Sequence, residues 1–139
     1  MSRGERISAR EWRWTLAFAA LVLALTAAPY LIGWLAQGEE WRFTGALFGV
    51  EDANSYLAKM RLGARGEWLF TLRTTGEPHE GALLFLPYLL LGHVARLVAR
   101  SELVPTGTLI AVFHGARLVF DLALLLVIYR FVAVFLRRP

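Results

Sequence analysis

Glu51 and Asp52 are adjacent carboxylates at the head of a short helical pattern, Glu51-Asp52-Ala53-Asn54-Ser55-Tyr56-Leu57-Ala58-Lys59-Met60-Arg61-Leu62-Gly63. Hard oxygen ligands of this kind suit a divalent cation, and either acid has the chemistry of a general base. The same pair also reads as a helix start, with a first-turn charge favoured by the helix dipole, and spacing alone leans that way. On the same stretch, Arg61 and Arg65 are four residues apart beside Lys59, a spacing that fits a phosphate clamp. It equally fits contact with anionic lipid headgroups, which the pattern favours. Further on, Glu77-Pro78-His79-Glu80 puts a histidine between carboxylates, as metal ligand or acid–base group, or simply as a solvated loop. Finally, His114, Arg117 and Asp121 fall on one helical stripe inside an apolar block. An ionised Arg or Asp at bilayer depth costs about 2.5–3.5 kcal/mol on insertion scales. The stripe therefore reads as a self-neutralising Arg117–Asp121 pair, a lining for a substrate cavity or a docking face for other helices.

The elements that must carry these groups follow from composition. Hydrophobic residues make up 57 % of the chain, against roughly 45–50 % for soluble domains. The excess collects in residues 14–36, 82–99 and 109–136, which is a membrane pattern. There is no cysteine, so thiolate chemistry and disulfides are excluded. The net charge of +4 is carried almost entirely by arginines that flank apolar blocks, which speaks for membrane topology and against nucleic acid as a partner. The expected class is an all-α integral membrane protein with about three transmembrane helices and a long external loop holding short juxtamembrane helices.

In order, residues 1–13 carry Arg3, Arg6, Arg10 and Arg13 and mark the cytoplasmic side. Residues 14–36 form the first span, with Pro29 kinking it or ending its regular part. That block is longer than the ~7–15 apolar residues of a signal peptide. Residues 37–81 are the external loop, in which Asp52 or Asn54 caps a helix and Gly63 or Gly66 closes it. Thr75-Gly76-Glu77-Pro78 reads as a turn. Residues 82–99 read as a second span kinked by Pro87 with Arg96 snorkelling, or as a re-entrant segment. Residues 109–136 form a third. Three spans put Arg137-Arg138 outside, against the positive-inside tendency.

Several linked motifs resemble the N-terminal portion of the GT-C membrane glycosyltransferases, which include protein O-mannosyltransferases and aminoarabinose transferases. They are Asp52-x-x-x-Tyr56, Ala58-Lys59-Met60, Gly66-Glu67-Trp68-Leu69 and Glu77-Pro78-His79-Glu80-Gly81-Ala82-Leu83, within about residues 43–120. The resemblance implies an inverting transfer from a polyprenyl-phosphate-linked sugar donor at the outer face of a bacterial cytoplasmic membrane. It implies Asp52, or less readily Glu51, as catalytic acid, acting as base or holding Mg or Mn. Tyr56, Lys59, Arg61, His79 and Glu80 would contact substrate, and Asp52 should face a cavity between the first two spans. The lysine and proline pair that such relatives carry near His79 are missing here. Their greater length implies that this chain is an N-terminal region, completed by further transmembrane helices or a partner subunit. The competing reading is a small non-enzymatic membrane scaffold or assembly subunit that docks a partner through His114, Arg117 and Asp121.

Overall fold

The computed structural model describes residues 7–72 and 75–136. Arg3, Arg6, Arg137 and Arg138 lie outside the described residues. Four helices account for most of the chain: α1 (Ala9–Leu35), α2 (Val50–Ala64), α3 (Leu86–Ala99) and α4 (Thr106–Leu136). Among the described residues the secondary structure is all helical apart from one isolated antiparallel bridge, Phe70 to Ala82. The chain divides into two compact units. One comprises Met1–Ala36 with Arg117–Pro139, the other Gln37–Ala116.

The first unit holds α1 and the second part of α4. A capping box starts α1: the Glu11 amide donates to Ser8 Oγ while the Glu11 carboxylate accepts from the Ser8 amide. That box explains why the helix begins before residue 14. Pro29 is accommodated inside α1, which continues to Leu35. Trp12 meets Tyr129 edge-on at 5.6 Å between ring centroids, and the Arg117 guanidinium lies 4.2 Å from the centre of the Tyr30 ring. Early α1 thus faces late α4 and late α1 faces earlier α4, so the two helices run antiparallel. Both are long and apolar enough to cross a membrane, and only 6 % of the most apolar window of each is buried within the protein.

The second unit is built around the close approach of α2 and α3. Along the pair Tyr56 stacks on Tyr88, Met60 lies against Gly92, and Gly66 is close to the Arg96 side chain. Positions rise together on both helices, so α2 and α3 are parallel, joined by the long segment between them. Gly63 lies against the Leu89 backbone and Gly92 against the Met60 backbone, with no room for a Cβ at either. Removing side chains at these two points lets main chains touch. α4 enters antiparallel to both. Its start is tied to the end of α2 by a hydrogen bond from the Arg61 guanidinium to Thr106 Oγ1, and Phe113 reaches back to Tyr56. Met60, Ala64, Ala95, Val104 and Leu109 form the buried cluster where the three meet.

This arrangement does not confirm the expected second span. Residues 82–85 are not helical, and α3 has only 14 residues, about 21 Å at ~1.5 Å per residue and short of a ~30 Å hydrocarbon core. Pro87 does not kink it. It occupies the first turn, where its missing amide hydrogen costs nothing. Arg96 does not snorkel but forms an ion pair with Glu102 at 3.0 Å. Two helices of spanning length are present among the described residues, not three.

Candidate functional site

α2 begins two residues before the expected cap. Gly49 is its N-cap, at φ +58, with no side-chain cap bond. Glu51 and Asp52 therefore sit in the first turn as dipole-favoured charges rather than as caps. At the other end Gly66, at φ +95, follows the helix. Gly63 is inside it and serves the contact with α3.

Asp52, Tyr56 and Lys59 are spaced by four and three, so α2 carries them on one stripe. The Tyr56 ring stacks almost parallel on Tyr88 of α3, 4.6 Å between centroids at 4°. On the other side Phe113 of α4 lies 6.2 Å away. The Lys59 ammonium lies 4.2 Å from the Phe85 ring centre and 5.3 Å from that of Tyr56, and donates to Ser55 Oγ at 2.8 Å. An ammonium against aromatic faces is held by about 0.5–1 kcal/mol when exposed and about 2 when desolvated. Its remaining N–H donors are free for an anion. Phe85 has φ +55, an unusual conformation for a bulky residue. Backbone strain is thus stored where the ring meets the lysine.

Burial pushes the Tyr88 phenol above its ordinary range, the Tyr56 phenol and its hydrogen bond add to the shift, and the Asp52 carboxylate adds again. Asp52 is thereby electrostatically part of the tyrosine pair. Its side chain is exposed, not enclosed in a cavity. Glu51 is roughly 100° further round the helix and belongs to a different face. Among the described residues no three His, Asp or Glu side chains gather to hold a metal ion.

Two of the remaining expected site residues, Arg61 and His79, have partners of their own. Arg61 is spent on Thr106. His79 is held in its own loop: Nε2 accepts from the Leu72 amide at 2.8 Å, and Nδ1 lies 3.0 Å from the Glu77 carbonyl. These partners assign a neutral ring with its proton on Nδ1. Glu80 is exposed beside it. At residues 75–78 the chain bends at Glu77, whose amide donates to Thr75 Oγ1.

The stripe on α4 is divided between two jobs. His114 Nε2 donates to the Gly45 carbonyl at 2.7 Å, clasping the strand of chain that leads into α2. Gly45, at φ +88, has no space for a side chain beside Ile110. Arg117 does not pair with Asp121; its guanidinium lies over Tyr30, and its Nε is buried without a hydrogen-bond partner.

Tyr88 and Phe85 are the site residues that sequence reasoning missed. Both belong to an apolar run that reads as span, and only the parallel register of α2 and α3 sets them opposite Tyr56 and Lys59. No protein-family model matches the chain, and comparison with curated proteins and with solved structures gave no match.

Proposed function

We propose that this chain is the membrane-embedded N-terminal region of a GT-C-like glycosyltransferase that uses a polyprenyl-phosphate-linked sugar donor. The observation that carries the reading is the stripe Asp52–Tyr56–Lys59, completed by Tyr88 and Phe85. It combines a carboxylate, two linked phenols and an ammonium on aromatic faces within a few helical turns. Asp52 acts as base on the acceptor hydroxyl, whose oxygen attacks the anomeric carbon as the bond to the donor phosphate breaks. Lys59 takes the departing phosphate, and the tyrosine hydroxyls orient the sugar. A Mg or Mn ion at Asp52 would draw its other ligands from phosphate oxygens and water. His79, Glu80 and Arg61 then belong to the frame around the stripe.

Two features support a membrane location. α1 and α4 expose apolar side chains along most of their length, a surface that water does not favour and lipid does. With two antiparallel spans, Arg10 and Arg13 near the start of α1 and Arg130 near the end of α4 fall toward one side, as the positive-inside tendency asks. The reading places both ends in the bacterial cytoplasm and the unit Gln37–Ala116 outside.

The test is transfer of labelled sugar from a polyprenyl-phosphate donor by the complete gene product in vesicles. Asp52→Asn removes transfer while Glu51→Gln retains it. An Asp52→Asn protein that transfers at the unaltered rate ends the proposal.

One observation favours the second reading, a non-enzymatic assembly subunit. Arg117 and Asp121 lie one turn apart yet do not neutralise each other, and at bilayer depth such groups call for partners from neighbouring helices. Co-purification of a stoichiometric membrane partner, lost on Asp121→Leu, distinguishes it.

A further inference from the structure

The first turns of α1 carry two arginines and a tryptophan around a cleft. Arg10, Arg13, Trp14 and Ala17 lie at i, i+3, i+4 and i+7 and so share one side of the helix. With Ala9 they line a space of about 550 Å³. All five are exposed, Trp14 at 71 %. The contacts of α1 with late α4 come from the other side. Trp12 meets Tyr129 and Tyr30 meets Arg117. Those two α1 residues are about five turns apart, so they point the same way, roughly opposite to the cleft at ~100° per residue. Among the described residues neither guanidinium has a hydrogen bond or an ion pair. The nearby Glu11 carboxylate does not reach them, because it is drawn back to the Ser8 amide and hydroxyl at 2.7 Å. From Trp14 the helix continues to Leu35 without a charge.

We infer that this cleft binds the headgroup of an anionic phospholipid, with its phosphate between Arg10 and Arg13 and the first part of an acyl chain over Ala17 beside Trp14. The inference rests on the membrane reading of α1. Charge complementarity selects an anion. Two like charges held one turn apart repel each other, and a phosphate diester between two planar guanidiniums replaces that repulsion with paired N–H donors. Position selects a lipid over a free anion. The arginines stand in the last turn before a charge-free run of span length. A bilayer crossed by that run has its headgroup layer at Arg10 and Arg13 and its hydrocarbon beyond Trp14. The exposed indole suits that boundary. Ala17 stands roughly 6 Å further along the axis than Arg13. With only a methyl group it leaves an apolar notch in which a chain can lie. A soluble phosphate uses the arginines but neither the indole nor the notch.

The full chain in mild detergent is incubated with an equimolar mixture of phosphatidylglycerol and phosphatidylcholine of identical acyl chains. Free lipid is removed and the retained lipid is counted by mass spectrometry. Phosphatidylglycerol should be retained several-fold over phosphatidylcholine. Arg10→Gln with Arg13→Gln should abolish this preference. Ala17→Leu, which keeps the charges and fills the notch, should reduce it several-fold. Arg42→Gln with Arg65→Gln removes the same charge elsewhere and should leave it intact. All of these side chains are exposed, so the substitutions open no core. A preference that survives the loss of Arg10 and Arg13, or that falls as far with Arg42 and Arg65, overturns the inference. So does an unchanged preference in Ala17→Leu, since the charges then act without a cleft. Displacement of phosphatidylglycerol by millimolar inorganic phosphate also overturns it, because that marks an anion site that does not require a lipid. Equal retention of the two lipids overturns the inference alone. A chain that stays dispersed and helical without detergent and retains neither lipid overturns the membrane reading with it.

Discussion

Gly92 of α3 lies directly against the main chain of Met60 on α2, so close that a Cβ at residue 92 would meet the Met60 carbonyl and the Ala64 amide. Both obstacles are backbone, so neither can rotate away. Gly92→Ala should destabilise the protein by about 1–3 kcal/mol, the usual cost of overpacking a close-packed contact. This is despite alanine's intrinsic helix advantage of ~1 kcal/mol over glycine. Gly115 of α4 is the control, since a Cβ there meets nothing within 4 Å. Gly115→Ala should hold or raise the melting temperature in detergent while Gly92→Ala lowers it. Equal responses of the two would mean that α2 and α3 do not touch as described.

That contact also marks what could and could not be read from sequence. The long apolar blocks give α1 and α4, because length and hydropathy are properties of one segment at a time. α2 is visible from its first-turn acids and its apolar spacing. What is invisible is pairwise. Nothing in Leu86-Pro87-Tyr88 reveals that it lies opposite Tyr56, because the parallel register depends on Gly63 and Gly92 admitting a neighbouring backbone. The second span is not confirmed for a local reason: the bridge at Ala82 and the helix start at Leu86 leave a helix of 14 residues, shorter than the about 20 a span needs. Likewise Arg117 and Asp121 have the spacing of a pair, but the face of Tyr30, from another helix, takes the guanidinium.

Tyr88 gives the site a titration that can be followed. Its phenol is held above the ordinary range first by burial, then by Tyr56, then by Asp52. A raised acid is more easily kept protonated in the folded than in the unfolded protein. Its contribution to stability is therefore complete below the unfolded value of about 10 and is lost as pH rises from there through the folded value. Tyrosinate absorbance, compared with Tyr88→Phe to isolate the residue, should show Tyr88 ionising above the ordinary tyrosine range. Asp52→Asn should move that titration to lower pH without bringing it to the unfolded value, since burial and Tyr56 remain. If Asp52→Asn leaves the titration where it was, Asp52 is not part of the cluster.

Arg100 ends α3 with φ +50, a left-handed conformation that costs a side-chain-bearing residue and suits glycine. It is exposed, so replacing it removes strain without opening a core. Arg100→Gly should stabilise the protein by roughly 1 kcal/mol, the cost of the left-handed region for an ordinary residue. Arg100→Ala should gain much less. A melting temperature that falls with Arg100→Gly would show that the side chain, not the backbone, matters at this corner.

The number of crossings decides on which side the C-terminus lies, and the absence of cysteine makes this measurable. If α3 crossed the membrane, α1, α3 and α4 would put residue 9 and residue 136 on opposite sides. With α3 at 14 residues beside α2, and α1 antiparallel to α4, they share a side and residue 101 lies opposite. Ala9→Cys, Ser101→Cys and Leu136→Cys are treated with a membrane-impermeant maleimide on spheroplasts, then again after permeabilisation. Ser101→Cys should label in intact spheroplasts, and Ala9→Cys and Leu136→Cys only once the membrane is opened. The arginine distribution favours the same result, because Arg10 and Arg13 at the start of α1 and Arg130 near the end of α4 then lie toward the cytoplasm. Labelling of Leu136→Cys from outside, with Ala9→Cys protected, would require an odd number of crossings. It would return α3 to the membrane as a third span.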